Sequence, residues 1–296
     1  MIQLINLNKN FKDKEVLKNL CLTIEEGTVF GLVGINGAGK STLLRLISGV
    51  YKPDGGSVLI DEEEVFENEK AKSKIFFLPD EPYYDENVTP QSLKDIYKVF
   101  YNLDEEHYFK YLKLFEIPIK KTINKFSKGM KRQVFIALAL AIKPKYLLLD
   151  EAFDGLDPLA RLSFKRALID LIDEKKTTII ISSHSLRELE DICDSYGLID
   201  NRNIVSSGLI SEATENVHKY QVVFSDIITK EQFDINFKNY QQDGRIIKVV
   251  VKEDLEQFKK SIEKYNPLII DEIPIDFEEL FIIEVESRGY LKWLNY

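Results

Sequence analysis

Cysteine, methionine, tryptophan and histidine are all scarce: two Cys, two Met, one Trp and three His in 296 residues. Cys21 and Cys193 stand alone in apolar settings and read as two reduced core thiols, which excludes a disulfide framework. His107, His184 and His218 are not spaced with them as metal ligands are. Long hydrophobic runs are missing as well. The longest uncharged apolar stretch, residues 134–142, is too short for a bilayer span and reads as a buried helix. Met1-Ile2-Gln3-Leu4-Ile5-Asn6 has no basic start, apolar core or cleavage site, so no secretory leader is expected. Positive charge is not in excess. Forty Lys and Arg against 49 Asp and Glu give a net charge of −9, which argues against broad nucleic-acid affinity.

What is present is an ordinary globular composition, 44% hydrophobic and 30% charged, in a chain long enough for two domains. Against that background one segment stands out: Gly34-Ile35-Asn36-Gly37-Ala38-Gly39-Lys40-Ser41-Thr42. It fits Gly-x-x-x-x-Gly-Lys-Ser with one more glycine inside. The apolar stretch 29–33 before it reads as a buried strand, and residues 41–47 after it carry apolar side chains at helical spacing. Strand, glycine-rich turn and helix N-terminus together cradle an anion, because backbone N–H groups and the helix dipole converge on it. Lys40 is a point charge for the β- and γ-phosphates, and the Ser41 hydroxyl suits Mg²⁺. The loop alone reads only as a nucleoside triphosphate site.

Along the chain, residues 2–24 alternate apolar and polar side chains and predict antiparallel strands. Further strands are expected at 57–60, 75–78, 146–149 and 178–181, with an amphipathic helix over 159–172. Apolar strands alternating with helices indicate a parallel sheet covered on both faces. Residues 89–143 read as a helical insertion. The expected boundary is 1–212 for the first domain and 213–296 for a small α+β unit. That unit reads as strand (220–224), helix, strand (246–251), helix (255–265), strand (268–270) and helix (277–285). No internal repeat or low-complexity linker is visible.

Leu147-Leu148-Leu149-Asp150-Glu151 puts two carboxylates at the C-terminal end of a buried strand, the edge where open α/β sheets bind ligands. Asp150 is placed to hold Mg²⁺ and Glu151 to polarise the attacking water. An acidic strand end that merely caps a helix is the bland alternative. Ser182-Ser183-His184 ends the next strand, where a histidine can donate to a γ-phosphate oxygen or simply sit in a turn. Phe126-Ser127-Lys128-Gly129-Met130 opens a long helix with Ser127 as N-cap, and a plain capped helix would look the same.

In combination and order, over about residues 1–208, these motifs resemble the ATP-binding subunit of an ABC transporter. Gly34–Thr42 resembles the Walker A loop, 147–151 Walker B with its catalytic glutamate, and Gly155-Leu156-Asp157-Pro158 the D-loop. Ser127 and Gly129 are what remains of the Leu-Ser-Gly-Gly-Gln signature. His184 matches the switch histidine, and Phe11 stands where the family stacks an aromatic ring on adenine. The family's Q-loop glutamine would follow Pro79, but Asp80-Glu81 stand there.

The resemblance implies a P-loop NTPase core with an antiparallel β subdomain, a helical insertion and an α+β appendage. It implies ATP and Mg²⁺ as ligands. Nucleotide would lie on Phe11, Asn36, Gly37, Ala38, Gly39, Lys40, Ser41 and Thr42, and metal on Ser41 and Asp150. Catalysis would fall to Lys40, Glu151 and His184. It further implies a head-to-tail pair of cassettes, alike or unlike, each lending Ser127 and Gly129 to the other's ATP. The expected partner is a separate membrane permease at the cytoplasmic face, with export of peptides, drugs or toxins as the narrower expectation. A soluble ABC ATPase acting on ribosomes or nucleic acid is the alternative. A GTPase is a third class, and its Asn-Lys-x-Asp guanine reader fails at the last position of Asn124-Lys125-Phe126-Ser127.

Overall fold

The alternating residues near the N-terminus fold as two long antiparallel strands, β1 (Ile2–Phe11) and β2 (Lys14–Ile24). Their inward side chains, among them Leu4, Leu7, Leu17, Leu20 and Leu22, are buried in the first core. The computed structural model describes residues 1–183, 186–215, 217–229, 233, 240–251, 254–275 and 279–280. The chain divides into two compact units, Met1–Ser207 and Gly208–Tyr296.

In the first unit β1 and β2 belong to a four-stranded sheet, order β2-β1-β4-β5, with β4 at Gly55–Ile60 and β5 at Glu63–Glu64. The second sheet has six strands in the order β10-β9-β3-β8-β7-β6. These are β3 (Val29–Val33), β6 (Ile75–Leu78), β7 (Tyr146–Asp150), β8 (Thr178–Ser182), β9 (Ser195–Asp200) and β10 (Asn203–Leu209). Strands β3, β7 and β8 are buried at all five positions, and the pairs β6–β7, β7–β8, β3–β8 and β3–β9 are parallel. Continuous apolar runs of this kind belong to parallel sheets covered on both faces. The core between the sheets also takes in Leu43, Leu44, Leu46 and Ile47 of helix α1 (Lys40–Ile47).

One carboxylate joins elements of both sheets. Asp61, just after β4, accepts hydrogen bonds from Lys74 before β6 (2.8 Å) and from Lys145 (3.1 Å) and Tyr146 at the start of β7. Burial opposes its ionisation, but these donors outweigh it and hold the carboxyl well below the usual carboxylate range.

Between β6 and β7 lie α3 (Pro90–Tyr97), α4 (Glu105–Leu114) and α5 (Lys128–Ile142). Each is started by a side chain that satisfies a free N–H of the first turn: Thr89, Asp104 and Ser127. From Arg132 to Ile142 every residue of α5 is buried, as the uncharged run predicts. The short α2 (Glu69–Lys72) precedes β6, and α6 (Pro158–Lys175) and α7 (Leu186–Glu190) flank β8.

The second unit has an antiparallel sheet, order β12-β13-β11-β14, after α8 (Ile210–Glu215). Its strands are β11 (His218–Phe224), β12 (Tyr240–Asp243), β13 (Ile246–Val251) and β14 (Pro267–Ile273). This strand order and polarity are those of the split β–α–β arrangement. Helix α9 (Leu255–Ile262) packs Phe258 flat on Tyr220, with ring centroids 4.3 Å apart. The expected final helix is described only at Glu279 and Leu280, which are helical, and the aromatic stretch 290–296 lies outside the described residues.

One expectation needs correction. Cys21 is not a core thiol: it lies exposed on β2, because its position in the alternation points away from the core, and its thiol faces Asn6. Cys193 is buried as expected, and burial pushes its thiol pKa up. The strands β9, β10 and β12 also escaped the sequence reading. Two of them are edges of their sheets, where fewer apolar residues are needed.

Candidate functional site

The glycine-rich loop leaves β3 after Val33 and enters α1 at Lys40. Gly37 and Gly39 take φ of 83° and 110°, left-handed values that a side chain would strain. Gly34 is excluded from substitution for a different reason: a Cβ there would lie 2.6 Å from the carbonyl oxygen of Ile199 on β9. At the other end of the loop, a Cβ on Gly39 would meet Val16 and Leu17 of β2 at 3.3 and 3.1 Å. The loop backbone is therefore pressed between the two sheets. Asn36 and Gly37 form its exposed tip, and the Ala38 N–H donates to Ile35 O at 3.1 Å. Thr42 sits half-buried in the first turn of α1.

Lys40 folds back so that Nζ donates to Gly34 O at 2.8 Å, and it lies 3.9 Å from Glu151 Oε1. Burial lowers the pKa of this ammonium, against the opposing attraction of Glu151 and Asp150. Its anionic neighbours are Glu151 and Asp150, and desolvation outweighs their attraction.

The strand register brings the carboxylates to the loop. Ser41 Oγ donates to Asp150 Oδ1 at 3.1 Å. Asp150 Oδ2 is buried and has no hydrogen-bond partner. A hydroxyl and an unpartnered carboxylate oxygen suit Mg²⁺, which is usually bound through one or two carboxylates with phosphate oxygens and water rather than by an all-protein cage. Among the described residues no cluster of three or more acidic, His or Cys side chains could hold a metal by itself.

Ser182 is the side chain at this edge to which the sequence reading gave no role. It pairs with Asp150 across β7 and β8, and its Oγ donates to Asp150 Oδ1 at 2.7 Å. The same Oγ accepts the Glu151 N–H at 3.1 Å, and Ser182 O accepts it too. These bonds hold Glu151 in a left-handed conformation, φ 49°, which a residue with a Cβ adopts only when its surroundings insist. Ser182 was visible as the end of an apolar strand, but only the register of the parallel pair says that it faces Asp150.

Phe11 ends β1 and remains 40% exposed. Its ring meets Tyr51 edge-on at 5.4 Å and lies 5.3 Å from the Lys9 ammonium. The same hairpin carries Val16 and Leu17, which press on Gly39. His184 lies outside the described residues. Its neighbour Ser183 donates to Glu188 Oε2 at 2.9 Å, and Glu188 pairs with Arg161 of α6.

Ser127 and Gly129 do not join this group: no hydrogen bond or ion pair among the described residues links either to residues 34–42. Ser127 Oγ accepts the Met130 N–H at 3.2 Å. A Cβ on Gly129 would lie 2.5 Å from Gly155 O, and Lys128 pairs with Asp154 at 2.5 Å. The start of α5 is thus packed on the segment that follows Glu151. Asp80 points toward α5, where Arg132 Nη2 donates to its Oδ1 at 2.6 Å.

A protein-family profile described as ABC transporter matches residues 17–154. The chain is 31% identical to the ABC transporter ATP-binding protein YtrB of Bacillus subtilis, over 99% of its own length and 100% of the relative's. It is 30% identical to the bacitracin transport ATP-binding protein BcrA of Bacillus licheniformis, over 83% of its length and 84% of that protein's. The methionine import ATP-binding protein MetN of Clostridium tetani is 33% identical over 72% of the chain and 70% of its own length. Among solved structures, an ATP-binding subunit of an ABC transporter superposes with a TM-score of 0.67 at 26% identity, covering 73% of this chain and 92% of that one.

Proposed function

The chain belongs to the ABC transporter ATP-binding family, and on that footing we propose that it powers a separate membrane permease exporting peptides, drugs or toxins. The observation that carries the chemical part is the convergence of Lys40, Ser41, Asp150 and Glu151 on one sheet edge. Lys40 and the loop N–H groups bind and orient the β- and γ-phosphates. Ser41 and Asp150 would hold Mg²⁺, which would supply neutralising charge for the phosphates. Glu151 takes the proton of the attacking water in line with the γ-phosphate. Phe11 stacks on adenine from the neighbouring hairpin, and His184 donates to the γ-phosphate oxygen. Ser127 and Gly129 act on the ATP of a second cassette, identical or not, which accounts for their separation from their own loop.

The permease is a separate chain in this reading. No helix among the described residues is long and apolar enough to cross a membrane. An exposed apolar groove beside α3, lined by Tyr83, Ile96, Val99 and Phe100, is the seat we assign to a cytoplasmic helix of that partner. In this reading the chain works at the cytoplasmic face. A cargo other than methionine is favoured because the match to the bacitracin transport protein BcrA extends over more of the chain than the match to the methionine import protein MetN.

Glu151→Gln tests the assignment. The variant is expected to bind ATP, turn it over at least ~100-fold more slowly and accumulate as an ATP-bound dimer. Turnover at the normal rate would remove Glu151 as the base.

A further inference from the structure

The family resemblance calls for a glutamine after Pro79, a neutral side chain able to reach the metal. Here the residue is Asp80, and its carboxylate is already engaged. Arg132 Nη2 donates to Asp80 Oδ1 at 2.6 Å, and Nη1 donates to Pro79 O at 2.9 Å. The arginine side chain is 2% exposed, whereas Asp80 is 45% exposed. Arg132 is thus a buried guanidinium whose one ion pair among the described residues is with Asp80. A glutamine could accept one hydrogen bond from it but would leave the charge without a counter-ion. Of the other cations at this end of the helix, Lys128 is committed to Asp154 and Lys131 lies over the Tyr84 ring.

The position of this pair gives it mechanical meaning. Asp80 lies two residues beyond β6, which pairs with β7 so that Leu78 faces Leu149, one residue before Asp150. Arg132 lies in α5, whose N-cap is Ser127. The pair therefore ties the metal-bearing edge of the sheet to the helix that presents Ser127 and Gly129. A second tie, Gly129 against Gly155 O together with Lys128–Asp154, holds the same helix start to the segment after Glu151. The helix start is anchored at two points to the edge where phosphate chemistry takes place.

We propose that Asp80 is a positioning residue for the ATPase, a charge latch that acts through Arg132 to fix the Ser127–Gly129 turn relative to Asp150 and Glu151. The proposal rests on the reading that Ser127 and Gly129 complete the ATP site of a second cassette. Asp80 then affects turnover without ligating metal. Its loss leaves the loop and ATP binding to a single chain intact, but misplaces the turn offered across the interface. A displacement of about 1 Å of such a group is enough to cost roughly 100-fold in rate.

The test is a double-mutant cycle on the full chain, with kcat expressed per ATP-binding-competent site so that lost folding is not counted as lost catalysis. Asp80→Asn and Arg132→Gln are each expected to lower kcat by roughly 10- to 100-fold. The ATP affinity of the single chain and the Mg²⁺ requirement should stay unchanged. The double variant should fall no further than either single one, and the exchange Asp80→Arg with Arg132→Asp should recover much of the rate. Wild-type kcat in Asp80→Asn overturns the latch. So does a shifted Mg²⁺ requirement in Asp80→Asn with normal turnover in Arg132→Gln, which makes Asp80 a metal contact. Ser127→Ala tests the underlying reading separately. Normal turnover in that variant rejects the shared site, and the latch with it.

Discussion

Replacing Ser182 by alanine isolates the contribution of a single hydroxyl to the acidic edge. Ser182 is fully buried and Asp150 is 1% exposed, so the 2.7 Å bond between them runs from a neutral donor to a buried carboxylate. A bond of this type contributes about 1.5–3 kcal/mol. The Glu151 N–H loses Oγ as an acceptor but keeps Ser182 O at 3.1 Å, so no donor is orphaned and nothing further is subtracted. For a unit of this size, Met1–Ser207, each kcal/mol shifts Tm by about 2–4 °C, giving a fall of about 3–12 °C. The functional effect should exceed the thermal one. Asp150 keeps only Ser41 on Oδ1, at 3.1 Å, and loses the partner that fixes its rotamer. Losing a group that orients a metal ligand typically costs about 10- to 100-fold in metal affinity. The assay is ATPase rate against Mg²⁺ concentration at saturating ATP, beside a melting curve followed by fluorescence. The Mg²⁺ midpoint should rise by about that factor while single-chain ATP binding changes little. A wild-type midpoint with a wild-type Tm would refute the role assigned to Ser182.

Gly129→Ala places a methyl group 2.5 Å from Gly155 O, a backbone atom that cannot step aside, so a stability loss of about 1–3 kcal/mol is expected in denaturant melts. A variant with unchanged stability would mean that the glycine answers only to the neighbouring cassette. Lys40 gives a pH effect. Burial holds its pKa below the ordinary lysine value, and triphosphate restores the charge, so nucleotide binding takes up a proton in the alkaline range. ATP affinity should therefore fall as pH rises through the lowered pKa. Unliganded stability should rise over the same window, because the unfolded chain then binds more protons. Calorimetry in two buffers of different ionisation enthalpy measures the uptake, and none at alkaline pH would contradict the account.

The parallel sheet was legible because β3, β7 and β8 are short apolar runs bounded by turns, a pattern that does not depend on the partner strand. The helical insertion was legible from its lack of strand signals, from Ser127 as N-cap and from the apolar run 134–142. Strands β9 and β10 were not, since Ser195–Asp200 and Asn203–Leu209 mix polar and apolar residues. The loop Asn201-Arg202 between them, both residues at positive φ, was the signal that went unread. The strand Tyr240–Asp243 likewise has only one large apolar residue, and Gly244 after it was its one turn signal.

The sequence by itself determined the chemistry of the loop. Glycines that allow left-handed φ, a lysine and a serine at a helix start, and carboxylates at the end of an apolar strand are local facts, and each carries its own physical reason. Only the tertiary structure decided which side chains serve that chemistry from other elements. Ser182 reaches Asp150 because β8 pairs with β7 in one register, and a slip of a single residue would turn its hydroxyl to the opposite face. Asp80 belongs to Arg132 because the segment just after strand β6 and helix α5, 52 residues apart in sequence at the contact, meet at a buried guanidinium. Gly129 needs its missing Cβ because Gly155 packs on it. Contacts between residues distant in sequence are fixed by how sheet and helices pack together, and no local pattern encodes them.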